Sequence, residues 1–133
     1  KVYSPVIDKG QADCIVSFEL LEAARWTEYL KPGGKIIVNT QQINPMPVII
    51  GAAEYPENLA EKMKAAGIDV DAFDALSLAE QAGSSKAVNI VLMGHLSRYF
   101  DFTEEEWMDA IEKSVPPKFL ELNKKAFLLG REA

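Results

Sequence analysis

The sequence predicts an α/β domain of Rossmann-like, three-layer character, with a mostly parallel sheet, helices on both faces and a helical C-terminal portion. Three observations predict it. Short apolar runs rich in β-branched residues, such as Ile36-Ile37-Val38, alternate with stretches whose apolar residues recur at helical spacing. Gly and Pro punctuate the joints, as in Lys31-Pro32-Gly33-Gly34. Beyond residue 75 the apolar residues keep helical spacing to the end of the chain.

Residues 12–18, Ala12-Asp13-Cys14-Ile15-Val16-Ser17-Phe18, form an apolar run bounded by Gly10, the pattern of a buried strand. Residues 19–30 place Leu20, Leu21, Ala24 and Tyr29 near helical spacing, and Lys31-Pro32-Gly33-Gly34 is expected to stop that helix. Lys35-Ile36-Ile37-Val38-Asn39-Thr40 is the next strand, so one βαβ unit is complete. Pro45 and Pro47 then lead to Val48-Ile49-Ile50, expected as an edge strand or extended segment. Pro56 suits the first turn of a helix over 57–66 that Gly67 stops, and residues 68–73 alternate like a half-buried strand.

A short helix over 76–82 ends at Gly83. Ser84 or Ser85 caps the next, over 86–100, whose apolar residues run nearly all round and predict a central, buried element. Thr103 followed by Glu106 is a capping box opening an amphipathic helix with Trp107, Met108 and Ile111. Pro116 and Pro117 separate it from a last helix over 118–129.

A chain of 133 residues with 48% apolar content suits a single domain with one core. Its 20 acidic against 14 basic residues give a net charge of −6, which disfavours phosphate backbones, so nucleic acid is not an expected partner. No apolar run reaches the roughly 18 residues of a membrane span, and Val88-Asn89-Ile90-Val91-Leu92-Met93-Gly94 is soon followed by His95 and Arg98. A soluble, cytoplasmic protein is expected, and the single Cys14 fits a reducing compartment. One cysteine also excludes an internal disulfide and any multi-cysteine metal or cluster site held by this chain alone. The opening Lys1-Val2-Tyr3-Ser4 has neither Met nor a secretory pattern, and a missing upstream piece is expected.

His95, the sole histidine, has no Ser or Cys nucleophile and acid in a recognisable arrangement around it, so packing or an interface is its expected role. Glu104, Glu105 and Glu106 stand where acids offset the positive end of a helix dipole. Leu30-Lys31-Pro32-Gly33-Gly34 also occurs late in S-adenosylmethionine methyltransferases, but it is a turn, and the Gly-rich loop that cradles a cofactor after a first strand is absent. No catalytic residue and no metal ligand set emerges, and no cofactor-binding residue is assigned. Two places remain as candidates for a partner interface. One is Ser4-Pro5, a rigid extended element; the other is Asn39-Thr40, at the carboxyl end of a strand. A loop contact for Ser4 and a polar cap for Asn39 and Thr40 stand beside that reading.

Three stretches, in this order and spacing, carry a resemblance. They are Val2-Tyr3-Ser4-Pro5-Val6-Ile7 with Ala12-Asp13, then Glu19-Leu20-Leu21-Glu22-Ala23 through Leu30-Lys31-Pro32-Gly33-Gly34-Lys35-Ile36-Ile37-Val38-Asn39-Thr40, and Val115-Pro116-Pro117-Lys118 with Leu122-Asn123-Lys124-Lys125-Ala126-Phe127. The chain resembles the gamma domain of 2-oxoacid:ferredoxin oxidoreductases of the pyruvate/ketoisovalerate type over nearly all of residues 1–133. Within that family the chain is most similar to the beta subunit of indolepyruvate ferredoxin oxidoreductase, particularly in Ala87-Val88-Asn89-Ile90-Val91-Leu92-Met93-Gly94 and in the stretch from Pro116-Pro117-Lys118 to Asn123. The family's opening strand, Gly-Gly-Gln-Gly type loop and helix are not matched.

The resemblance implies a non-catalytic, gamma-type subunit of an enzyme that oxidatively decarboxylates 2-oxoacids to acyl-CoA. It also implies that thiamine diphosphate and iron–sulfur clusters sit in partner subunits, with ferredoxin engaged indirectly as electron acceptor. Trp107, Phe119 and Phe127 are then candidate anchors on a partner, although core packing explains them equally well. Two rivals are a methyltransferase-like or dinucleotide-binding enzyme domain and a free-standing α/β adaptor.

Overall fold

The computed structural model describes residues 6–133, and its contacts gather into two compact units, Lys1–Ala72 and Phe73–Ala133. The fold is α/β, with an open parallel sheet of three strands in the order β1-β2-β3.

In the first unit, β1 (Ala12–Ser17) pairs in parallel with β2 (Leu30–Asn39), joined by helix α1 (Leu20–Arg25) and a 3₁₀ turn, Thr27–Tyr29. The βαβ unit is as expected, but its joint differs. Lys31-Pro32-Gly33-Gly34 does not stop α1, which has already ended at Arg25, where Thr27 Oγ1 donates to the Ala24 carbonyl at 2.9 Å. Instead those four residues form an excursion inside β2 opposite the single residue Asp13, because Ala12 aligns with Leu30 and Cys14 with Lys35. Gly33 takes φ +78°, which favours glycine, and a Cβ on Gly34 would crowd the Leu30 side chain and lie 3.0 Å from the Asp13 carbonyl oxygen. Lys31 closes it by an ion pair with Asp13, and Lys35 Nζ pairs with Asp69 Oδ2 at 2.6 Å.

Ile36 and Val38 face a core made with Leu20 and Ala23 of α1, Met63 of α3 (Leu59–Ala65) and Val70 of β3 (Asp69–Phe73). Ile37, alternating to the opposite face, is fully buried as well, as a strand covered on both sides requires. Gly67, at φ +83°, ends α3 as the sequence predicts.

Residues 48–50 correct the expectation of a strand. They lie in and just after a short helix, α2 (Met46–Ile49), whose opening turn holds Pro47, where a missing amide hydrogen costs nothing. Helix α3 begins at Leu59 and not next to Pro56, because Asn58 adopts the left-handed conformation at φ 54°.

The second unit is built from α4 (Ala75–Ala82), α5 (Val88–Leu96), α6 (Glu104–Ser114) and α7 (Leu120–Glu132), with 3₁₀ turns before and after α5 and before α7. Asp74 caps α4 by accepting from Ser77 N at 3.0 Å, and Gly83 ends it. Ser84 caps the turn into α5, and Val91, Leu92 and His95 of α5 are buried as expected, although Met93 is 37% exposed.

Helices α5 and α7 touch backbone to backbone. A Cβ on Gly94 would fall 2.0 Å from the Phe127 carbonyl oxygen, and one on Gly130 would fall 2.0 Å from that of Val91. Beside the crossing, buried Ser97 Oγ donates to Gly94 O at 2.6 Å and accepts from Arg131 at 2.5 Å. Phe127, offered by the sequence as a partner anchor, is 1% exposed and belongs to this core. Trp107 packs between Phe102 and Phe127 at ring-centroid distances of 5.8 and 5.7 Å. Only Phe119 of the three aromatics is open to solvent, at 44%, with Lys118 over its ring.

Candidate functional site

The carboxyl edge of a parallel sheet is where such folds gather ligands and partners, and here it is made by Ser17 and Asn39 at the ends of β1 and β2. Asn39 is fully buried, and its Nδ2 donates to the Phe18 carbonyl at 3.2 Å and to Gln41 Oε1 at 3.4 Å. It ties the two strand ends together from inside. Thr40, the next residue, is exposed. Ser4 and Pro5 lie outside the described residues, and Val6 and Ile7 beside them are exposed at 70% and 59%.

The organising group of this edge is one that sequence reasoning missed. Glu19 is 5% exposed, and its carboxylate caps α1 by accepting from Glu22 N at 2.9 Å. The same carboxylate accepts from Ile43 N at 3.2 Å and from the Tyr55 hydroxyl. Its own carbonyl accepts from Ser17 Oγ at 2.8 Å, and Leu20 N donates to Gln41 O at 3.3 Å. Burial alone would raise the Glu19 pKa, but the Tyr55 hydroxyl and the backbone amides outweigh it and hold the carboxyl below its ordinary value. Tyr55 is pushed up to about 12 by burial and by the Glu19 carboxylate it donates to. An ionised acid whose lone pairs are engaged by several donors is a poor proton acceptor, so Glu19 is a holding group and not a general base. The one local sign of it was an acid directly after a β-strand and before a helix; its long-range partners leave no local trace.

Held by this latch is the segment 41–55, which contains α2 and is largely exposed. Ile43, Met46, Ile49 and Ile50 on it are 57%, 67%, 65% and 70% exposed, and Phe18 beside it is 54% exposed. An apolar surface of this kind marks a contact surface more often than a substrate pocket.

Elsewhere the structure supplies no reaction centre among the described residues. His95 is 2% exposed, stacked on Phe73 at 4.1 Å and in contact with Arg98 at 2.7 Å, as a packing residue is. Glu104, Glu105 and Glu106 occupy the first turn of α6, where Glu106 Oε2 accepts from Thr103 N at 2.7 Å in the capping box. The Leu30 to Lys35 excursion sits at the amino end of β2, opposite the edge that binds nucleotides in such folds. No three His, Cys, Asp or Glu residues cluster to hold a metal ion among the described residues. Cys14 is half-buried, and burial pushes its thiol up. A single thiol does not fit the ligand set of an iron–sulfur cluster, which takes about four. No helix of the described residues is long and apolar enough to cross a membrane.

Comparison with known proteins places these features. The family model for pyruvate ferredoxin/flavodoxin oxidoreductase matches residues 1–133. The indolepyruvate oxidoreductase subunit IorB of Thermococcus kodakarensis is 42% identical over 138 residues, covering 99% of this chain and 68% of that protein. The subunit of the same name from Archaeoglobus fulgidus is 34% identical, covering 97% and 66%. Among solved structures, the gamma subunit of a keto/oxoacid ferredoxin oxidoreductase from Geobacter sulfurreducens superposes with a TM-score of 0.66 at 25% identity, over 96% of this chain and 66% of that one. The pyruvate oxidoreductase subunit PORC of Thermotoga maritima shares the fold, with a TM-score of 0.62 at 22% identity over 90% of this chain and 62% of its own. The chain therefore spans about two thirds of the length of the relatives it matches.

Proposed function

The chain belongs to the pyruvate ferredoxin/flavodoxin oxidoreductase family, and from that premise we propose that it serves as the gamma-type part of an indolepyruvate- or pyruvate-type 2-oxoacid ferredoxin oxidoreductase. The assembly oxidatively decarboxylates a 2-oxoacid to an acyl-CoA and passes the electrons to ferredoxin in the cytoplasm. The observation that carries this reading is the family match over residues 1–133, joined by 42% identity to a subunit named for indolepyruvate oxidation.

Thiamine diphosphate and the iron–sulfur clusters are assigned to partner subunits, in keeping with a chain that has one cysteine and one histidine. This chain's own contribution is structural. The sheet edge at Asn39 and Thr40 takes part in the partner interface, with Asn39 acting from beneath by fixing the strand ends and Thr40 at the surface, and the Ser4-Pro5 segment is a second candidate contact.

The test is affinity capture of the full-length protein from its native cytosol, followed by iron and thiamine assays of what it retains. A brown, thiamine-containing partner that oxidises 2-oxoacids with ferredoxin is the expected result. Capture of the chain alone after crosslinking overturns the assignment. Substituting Ser4 and Asn39 and repeating the capture tests the proposed edge, and undiminished assembly and activity would sink it.

A further inference from the structure

Solvent-exposed segments of an acidic, charge-rich protein ordinarily carry charges of their own. In this chain 26% of residues are charged, yet residues 41–53 contain no Asp, Glu, Lys, Arg or His. On that stretch Ile43, Met46, Ile49 and Ile50 are each more than half exposed, which leaves four large aliphatic side chains in water.

The stretch is also shaped in advance. Ile50 N donates to Met46 O at 3.0 Å, and Ala52 N and Ala53 N donate to Pro47 O at 2.8 and 3.0 Å, so the backbone closes on itself. The Glu19 carboxylate grips it near both ends, through Ile43 N and the Tyr55 hydroxyl. Holding apolar side chains outward on a latched backbone lowers the ordering cost of binding.

From these observations, and resting on the function proposed above, we infer that residues 41–55 are a preformed docking arm that seats in an uncharged apolar pocket with a basic rim on another subunit of the oxidoreductase. The basic rim follows from exposed Glu54 and Glu57, which border the uncharged stretch. Charge also selects against other occupants. In a two-fold contact between copies the same patch meets itself, so the acidic border would face its own image within a chain of net charge −6. An anionic membrane surface is disfavoured by the same border.

The experiment uses the full chain and the partner subunit purified with it, with affinity and association rate measured at low and high salt. The double variant Ile49→Asp/Ile50→Asp should lose about 100-fold in affinity while keeping the wild-type melting temperature, because both side chains are exposed. Glu54→Lys/Glu57→Lys should slow association several-fold at low salt, with the difference vanishing at high salt. Glu105→Gln, at an exposed position of α6 away from the arm in sequence, serves as the control and should bind as wild type.

An Ile49→Asp/Ile50→Asp variant that binds the partner as tightly as wild type overturns the arm while leaving the proposed function standing. So does a wild-type chain that dimerises and loses its dimer, and not its partner, in that variant. A wild-type chain that binds no thiamine- and iron-containing subunit overturns the proposed function and the arm with it.

Discussion

The two units of this chain use buried polar groups for opposite ends. In Lys1–Ala72, Glu19, Asn39 and Ser17 gather at the sheet edge and hold a loop outward, so that its apolar side chains meet solvent. In Phe73–Ala133, buried Ser97, joined by the partly buried Arg131, sits beside the close approach of α5 and α7 and holds helices inward, where Phe127 and Leu92 disappear from the surface. Similar hydrogen-bond chemistry thus presents a surface in one unit and seals a core in the other. A buried polar cluster is informative about function only when one asks what its bonds immobilise.

The strongest way to break the comparison is at the helix crossing of the second unit. Gly94→Ala puts a methyl group on a backbone carbonyl that cannot step aside, and it should cost about 3 kcal/mol in urea denaturation. A loss under about 1 kcal/mol would mean that the helices separate easily and that the inward role is misassigned.

The latch of the first unit should fail more gently and in a pH-dependent way. Because Glu19 sits below its ordinary value of 4.5 in the folded chain, its contribution is present above that pH and is lost as the pH falls through the lowered native value. Tyr55, raised from 10.0 to about 12, contributes below pH 10, and that contribution is lost as the pH climbs toward 12. Protease cleavage of residues 41–55 should accelerate at both extremes while α5 and α7 retain their amide protection. In Glu19→Gln the acid-side acceleration should vanish, the loop being looser already at neutral pH. An unchanged acid profile in that variant would show that another group governs the loop.

The smallest effect sharpens the contrast by touching neither network. Thr103→Ala removes the capping box of α6 and should cost about 1 kcal/mol, seen as fraying of its first turn in amide exchange with the loop of the first unit unaffected.

Much of the fold was legible because the signals were local. The βαβ unit, the Gly67 and Gly83 stops and the Thr103 capping box each depend on a few neighbouring residues. Lys31-Pro32-Gly33-Gly34 misled because two glycines beside a proline serve a helix stop and a strand excursion equally, and only the register of Ala12 and Cys14 across the sheet decides between them. Val48-Ile49-Ile50 misled because a proline-bracketed apolar run suits an edge strand as well as a first helical turn. The site was half legible. The position of Asn39 at a strand end was visible, but its inward direction was not. The Glu19 to Tyr55 bond joins residues far apart in sequence, so no window along the chain contains it.

The two tryptophans, one in each unit, turn the comparison into an optical one. Trp26 is 51% exposed beside Tyr29, whereas Trp107 is packed between two phenylalanine rings. Their emission maxima should therefore differ, red-shifted for Trp26 and blue-shifted for Trp107. A Trp26→Phe or Trp107→Phe chain thus carries one tryptophan, and with excitation that spares the tyrosines a single unfolding titration of each resolves whether the two units melt together or in turn, without any attached label.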